Sequence, residues 1–246
     1  MKDDKITYES AGVNLLASEK IKDRIKNLAE KTYTPNVLGG VGGFGAMYKI
    51  SGYRNPVLVS STDPVGTKLM VAGMVGDYSY IGEDLVNACV NDLIVVGAEP
   101  LFFLDYIGTS KLNSDVISDI VKGLSSGCRT ANMALIGGET AVLPGIYHGN
   151  DYDLVGFIVG TVNRNHLISP DKTSEGDMLI ALPSSGLHTN GYSFVRSIFD
   201  IDNNPSVLKD VVPGTSSSLG ELLLVPHRSY YDTFGQHLNI INGLSH

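Results

Sequence analysis

Four apolar runs of strand length alternate with two longer runs of helical period, and this alternation limits the chain to a layered α/β or α+β fold. Pro56-Val-Leu-Val-Ser-Ser-Thr62 reads as a buried strand of short β-branched and apolar residues. Leu101 to Ile107, rich in Phe and Leu, reads as a second, because Gly97 and Pro100 stop the helix before it. Ala134 to Gly138 gives a short third strand, and Asp153 to Val162 a longer fourth with Gly156 and Gly160 inside it. Helices are predicted over Ile81 to Val96 and Val116 to Ala131. An amphipathic helix precedes all of these over Leu15 to Lys31, where Leu16, Ile21, Ile25 and Leu28 keep near-helical spacing.

The pattern then changes. Asn163 to Gly176 is polar, carries Pro170, Asp171, Lys172 and Ser174, and reads as a linker or domain boundary. A new strand is predicted from Met178 to Leu182, a helix from Gly191 to Phe199, and at least one more within Leu219 to Leu238. A chain of 246 residues has room for one large core or two modest ones, and 43% hydrophobic against 18% charged residues excludes disorder as the main state. Eighteen basic against 26 acidic residues leave a net charge of −8 with no concentrated basic stretch, so nucleic acid is not an expected partner. The opening MKDDKITYES is too polar for a secretory segment, and no apolar run reaches the ~18 residues of a membrane span. A cytoplasmic location without a membrane partner is expected. Cys89 and Cys128 lie in apolar helix-like stretches without close pairing and read as buried free thiols.

Gly39-Gly-Val-Gly-Gly-Phe-Gly45 places five glycines in seven residues, so backbone N–H groups can approach an anion with few side chains in the way. A phosphate-binding loop and a mobile surface loop both fit. A Rossmann reading is excluded because a helix and Pro35, not a strand, precede the glycines, and a Walker A loop because no Gly-Lys-Ser/Thr follows. Thr62-Asp-Pro-Val-Gly-Thr-Lys68 leaves a strand with a carboxylate, two hydroxyls and an amine, a set suited to a metal-bound triphosphate. Asp63 could hold Mg²⁺ or serve as a turn aspartate. Asn91-Asp92 stands among apolar helix residues, where a carboxylate needs a partner or a metal. Glu139 in Gly137-Gly-Glu-Thr140 follows a strand and suits either a ligand contact or a buried salt bridge. Ser184-Ser-Gly-Leu-His-Thr-Asn-Gly191 sits between a strand and a helix; its hydroxyls, its N–H groups and His188 suit an anion site, and a capping loop with Thr189 or Asn190 as N-cap is the alternative.

Taken in order, Tyr8 to Val13, Gly39 to Met47, Thr62 to Leu69, Asp84 to Leu93, Gly97 to Tyr106, Gly137 to Gly156, Ser184 to Arg196 and Leu222 to Tyr230 resemble phosphoribosylformylglycinamidine cyclo-ligase, or aminoimidazole ribonucleotide synthetase, of purine biosynthesis. The resemblance implies ATP-dependent ring closure of formylglycinamidine ribonucleotide to aminoimidazole ribonucleotide. It implies ATP and Mg²⁺ as cofactors, with Asp63 and Asp92 on the metal. It places Lys26 and the loop of Gly39, Gly40, Gly42, Gly43, Phe44 and Gly45 at the nucleotide, with Thr62, Thr67, Lys68, Asn91 and Glu139 as further contacts. Ser185, Gly186, His188 and Asn190 would face substrate phosphate or the reacting centre. It also implies a homodimer whose small sheets pair into a barrel with helices outside.

Pro64 stands where the family has Gly, Val142 where it has Glu, and His227 where it usually has Thr. Proline offers no N–H, so a backbone contact to phosphate from Pro64 is excluded. The sequence stops at Gly243-Leu-Ser-His246, just before the family's second glycine-rich loop. The resemblance therefore implies an ATP-binding and dimerisation domain over residues 1–168 and a partial α+β domain over 169–246. On that reading the chain alone is expected to be dimeric and to bind nucleotide without turning over substrate. The alternatives are another ATP-using enzyme of the superfamily, such as selenophosphate synthetase or thiamine-monophosphate kinase, and a non-catalytic nucleotide-binding fragment.

Overall fold

A computed structural model of the chain describes residues 15–235 and 237–246, so the Tyr8 to Val13 segment lies outside the described residues. Helix α1 (Leu15–Glu30) turns Ile21, Ile25 and Leu28 inward, and Ser125 donates its hydroxyl to Leu28 O at 2.9 Å. The short antiparallel pair β1 (Val37–Gly39) and β2 (Met47–Tyr48) follows, and the glycine-rich segment is the loop between them. The chain then runs through β3 (Pro56–Pro64), α2 (Lys68–Val75), α3 (Ile81–Ile94), β4 (Glu99–Thr109), α4 (Ser114–Thr130), β5 (Ala134–Val142) and β6 (Tyr152–Asn163). Single-turn helical segments cross the polar stretch after β6, and α5 (Tyr192–Ile198), α6 (Leu219–Leu223) and α7 (Tyr231–Phe234) complete the order.

Strands β3, β6, β4 and β5 form one sheet in that order, with β4 and β5 parallel and the other pairs antiparallel. Residues opposite one another across an antiparallel pair share a face. Val59 with Gly160, Ser61 with Ile158 and Asp63 with Gly156 therefore point the same way, toward α3. Glycine at 156 and 160 is a packing requirement: an added β-carbon would come within 2.4 Å of Phe103 at the first and of Leu93 at the second. The core between sheet and helices includes Leu85, Cys89 and Leu93 of α3, Ile117, Ile120 and Leu124 of α4, and Phe103, Leu154 and Ile158 of the sheet. Each such side chain contributes about 1.5–3 kcal/mol through burial. Both cysteines are free and buried as expected, and burial pushes the Cys89 thiol up to about 12.

The mixed α/β class and the order of the main elements match the sequence reading, and among the described residues the sheet stays open in the single chain. Two strand expectations need correction. The Pro56 to Thr62 strand lies at the sheet edge, and the face away from the helices is open, so Leu58 is 59% and Phe157 43% exposed. A strand buried on both faces needs a layer on each, and the described helices cover one. Met178 to Leu182 forms no strand, and Met178 and Leu179 are 85% and 97% exposed. An apolar run becomes a strand only where a neighbour completes its hydrogen bonds, and none of the described residues does so here. No helix of the described residues is long and apolar enough to cross a membrane.

Candidate functional site

Helix α3 is apolar almost all round, yet Asp84, Asn87 and Asn91 fall within a ~60° arc at 3.6 residues per turn. The segment 225–230 lies along this polar stripe. Asp84 Oδ1 accepts from Lys68 Nζ at 2.9 Å and from His227 N at 2.7 Å. Asn87 donates to His227 O at 2.7 Å. Asn91 donates to Arg228 O at 2.8 Å and to His227 Nε2 at 3.0 Å, and its Oδ1 accepts from Tyr230 N at 3.0 Å. Lys68 Nζ also donates to Val225 O at 2.9 Å. Side chains thus supply the partners that a neighbouring strand would otherwise give this backbone, which is what makes burying them tolerable.

Lys68 and Asp84 are both fully buried. Nζ also lies 2.8 Å from Asp84 Oδ2, a charge contact whose angles do not make a hydrogen bond. Burial pushes the Asp84 carboxyl up to about 6 and the Lys68 amine down, while their mutual attraction opposes both shifts. In this structure Lys68 and the Asn91 amide, both expected at the nucleotide, hold segment 225–230. The carboxylate enclosed by the apolar helix is Asp84. Asp92 lies ~80° further round the helix, and its side chain is 40% exposed.

Asp92 accepts from His246 Nδ1 at 2.8 Å. Asp63, near the end of β3 and on its helix-facing side, belongs to the same group: burial and then the Asp92 charge push its carboxyl up, while His246 pulls it down. His188 adopts a left-handed backbone with φ 57°, a conformation costly for a side chain with a β-carbon and usually kept where surrounding contacts enforce it. Its Nε2 accepts from Ser185 N at 3.1 Å, and its ring stacks on His227 with centroids 4.0 Å apart. Ser185 Oγ donates to Pro226 O at 2.7 Å, so the loop rests on the same segment that α3 holds. Gly191, with φ 81°, begins α5 in place of the expected Thr189 or Asn190 cap.

Burial pushes the His227 imidazole down to about 3, aided by any charge on His188, His246 and Lys68. Between that value and the ordinary 6.5, the unfolded chain binds a proton that the native ring refuses, so stability falls as pH falls through this window. Asp84 works the other way between about 6 and 3.8, where the native state takes up the proton first. The larger His227 displacement sets the net sign. The two contributions largely cancel, so the unfolding free energy is expected to fall by only about 1 kcal/mol from pH 7 to pH 4, and His227→Gln should reverse the slope by leaving the Asp84 contribution alone. An unchanged profile in the variant would assign it to other groups.

The expected site residues therefore divide. Asp63, Asp92, His188, Ser185 and Gly186 gather around the end of α3. Lys26 lies on the exposed side of α1, 3.9 Å from Glu30 one turn on. The glycine loop is anchored by Val41 N donating to Tyr33 Oη at 2.8 Å, with Gly39, Gly42, Gly43 and Gly45 around a fully exposed Phe44. A β-carbon at Gly40 would collide with Tyr33. Glu139 is exposed, which removes its buried salt-bridge alternative; with burial, its charge helps push Asp105 up to about 7. Thr62 Oγ1 donates to Gly156 O at 2.8 Å, Thr67 Oγ1 lies 3.1 Å from Ser193 Oγ, and Asn190 is exposed. Asp84 and His246 were not singled out from the sequence, and His227 stood out only as a departure. Their roles rest on partners more than 130 residues away for His227 and His246.

Residues 45–162 match the family described as AIR synthase related protein, N-terminal domain. A phosphoribosylformylglycinamidine cyclo-ligase from Thermoanaerobacter pseudethanolicus is 52% identical over 225 residues, covering 92% of this chain and 67% of that protein. The protein of the same name from Caldanaerobacter subterraneus subsp. tengcongensis is also 52% identical, covering 91% and 66%. The chain thus spans about two thirds of the length of these relatives. The crystal structure of the hydrogenase maturation protein HypE in complex with ATP shares the fold, with a TM-score of 0.53 and 19% identity over 76% of this chain and 53% of that one. Identity above one half along nearly the whole sequence, on the superfamily's fold, makes this chain a member of the phosphoribosylformylglycinamidine cyclo-ligase family of purine-biosynthesis enzymes.

Proposed function

We propose that the chain supplies, at the Asp63 and Asp92 carboxylates, the Mg-ATP site for closing the imidazole ring of aminoimidazole ribonucleotide from formylglycinamidine ribonucleotide. The observation that carries this reading is the pairing of these two carboxylates, from β3 and α3, in a member of a cyclo-ligase family. The donor set fits the ion: two partly exposed carboxylates repel one another, and Mg²⁺ takes one or two carboxylates with water and phosphate oxygens. When bound, Mg²⁺ neutralises charge on the transferring phosphoryl group.

An amide oxygen leaves poorly, so phosphorylating the formyl oxygen lets the amidine nitrogen attack the same carbon and expel phosphate. For such chemistry the chain's part is positioning and charge neutralisation. Asp63 and Asp92 orient the triphosphate, while the backbone N–H groups of the Ser185 to Gly191 loop and the side chains of His188 and Asn190 face the ribonucleotide phosphate. We read the glycine loop and Lys26 as further contacts to the nucleotide. We read residues up to 168 as the ATP-binding and dimerisation unit, with the open sheet face carrying Leu58 and Phe157 turned toward a second copy, and the cytoplasm as its location.

Calorimetric titration tests the reading. Mg-ATP should bind the chain more tightly than ATP with EDTA, and formylglycinamidine ribonucleotide should then bind where thiamine monophosphate does not. Nucleotide binding indifferent to Mg²⁺, or preference for thiamine monophosphate, would overturn it.

A further inference from the structure

His188, His227 and His246 come from three separate stretches of the chain, and each brings a ring nitrogen within 4.8 Å of the other two. The His227 and His246 ring centroids are 5.4 Å apart, and those of His188 and His227 4.0 Å. We propose that this trio is a binding site for a transition-metal dication of the Zn²⁺ class, chemically distinct from the oxygen-liganded Mg²⁺ site that it adjoins through Asp92.

Donor type carries the assignment. Imidazole nitrogen suits Zn²⁺, Cu²⁺ and Ni²⁺, whereas Mg²⁺ selects oxygen and keeps much of its water. Three protein nitrogens with a fourth position left for water or substrate is the coordination number of an open zinc site. The outer contact of His246 also fits. His246 Nδ1 is held by the Asp92 carboxylate at 2.8 Å, which orients the ring and leaves Nε2 as the nitrogen for a metal. His227 is oriented by Asn91 at 3.0 Å, itself fixed by Arg228 O and Tyr230 N.

Binding has a cost, readable from the same contacts. Zinc–nitrogen bonds of ~2.0–2.1 Å in a tetrahedron put the nitrogens about 3.4 Å apart, so the trio must contract. His188 can supply part of that movement, because its loop lies between Gly186 and Gly191 and its Ser185 contact is long, at 3.1 Å. His227 gives up the Asn91 hydrogen bond on either route: bound through Nε2 it loses the lone pair that accepts, and bound through Nδ1, 3.4 Å from Thr189 Oγ1, it carries its proton on Nε2 against the Asn91 donor. An affinity in the micromolar class is therefore expected, weaker than that of a closed structural zinc site.

The test is calorimetric titration of the 246-residue chain with ZnCl₂ in excess MgCl₂, joined by Co²⁺ titration followed through its visible absorption. One Zn²⁺ per chain and the intense bands of tetrahedral Co²⁺ are expected. His246→Ala, near the surface, and His227→Gln should each weaken Zn²⁺ by about 100-fold, since losing a ligand should cost at least as much as the 10–100-fold typical of an outer partner. Circular dichroism of each variant separates this from loss of fold, and the His246 variant alone decides if His227→Gln unfolds. Absence of stoichiometric Zn²⁺ binding, displacement by Mg²⁺, or unchanged affinity in folded His246→Ala would each overturn the proposal.

Discussion

Lys68→Met is expected to lower the unfolding free energy by about 3–5 kcal/mol, because it leaves the fully buried Asp84 carboxylate without its counter-charge. Both partners lie out of water, so solvent does not screen their attraction as it does for a surface pair. Methionine matches the length of the lysine stem and isolates the charge from the packing. The double variant Lys68→Met/Asp84→Leu should recover much of the loss, since an apolar pair of similar volume can replace a buried ion pair. Recovery should stop short by about 1–3 kcal/mol, because His227 N loses its acceptor. Urea unfolding of the four proteins gives the cycle directly. A single variant less than about 1 kcal/mol below the parent would show that water reaches Asp84 and that the pair is not enclosed.

Asp92→Asn is expected to weaken Mg-ATP binding by about 100-fold, the loss of a direct carboxylate ligand costing at least the upper end of the range seen for outer partners. The substitution keeps the side-chain volume and an oxygen to accept from His246 Nδ1, so thermal stability should hold. ATP in EDTA is the control, and its binding should not move, because no metal bridges it to the carboxylate. Equal affinity of parent and variant for Mg-ATP would remove Asp92 from the metal.

Much of the fold was legible because local period and local breakers agree. The predicted helix over Ile81 to Val96 became Ile81–Ile94, and the strand over Leu101 to Ile107 became Glu99–Thr109, with Gly97 setting the break and Pro100 taken into the strand. Met178 to Leu182 was misread because apolar composition states a wish for burial without naming a partner. The site was legible in part for a related reason. Asp84 and Asp92 occupy the same apolar helix eight positions apart, and the sequence cannot say which face is covered by residues ~140 positions downstream. Lys68 carried the residue type of a phosphate ligand but sits one layer below, under the segment it fastens. Asp63 and His188 stood out in the sequence because loops leaving strands and entering helices are where such folds gather their chemistry.

The polar stripe on α3 has a consequence for biosynthesis. Its partner backbone lies about 140 residues later in the chain, and at roughly 5–20 residues per second a ribosome takes on the order of 10–30 s to deliver it. During that interval the first helices and the sheet have been made while this face of α3 stands uncovered. An apolar face of the same size would be a sticky surface offered to every other nascent chain. Asp84, Asn87 and Asn91 are instead hydrated until the later segment arrives, so the waiting intermediate stays soluble and the cost of drying these groups falls only at the moment when their partners replace the water.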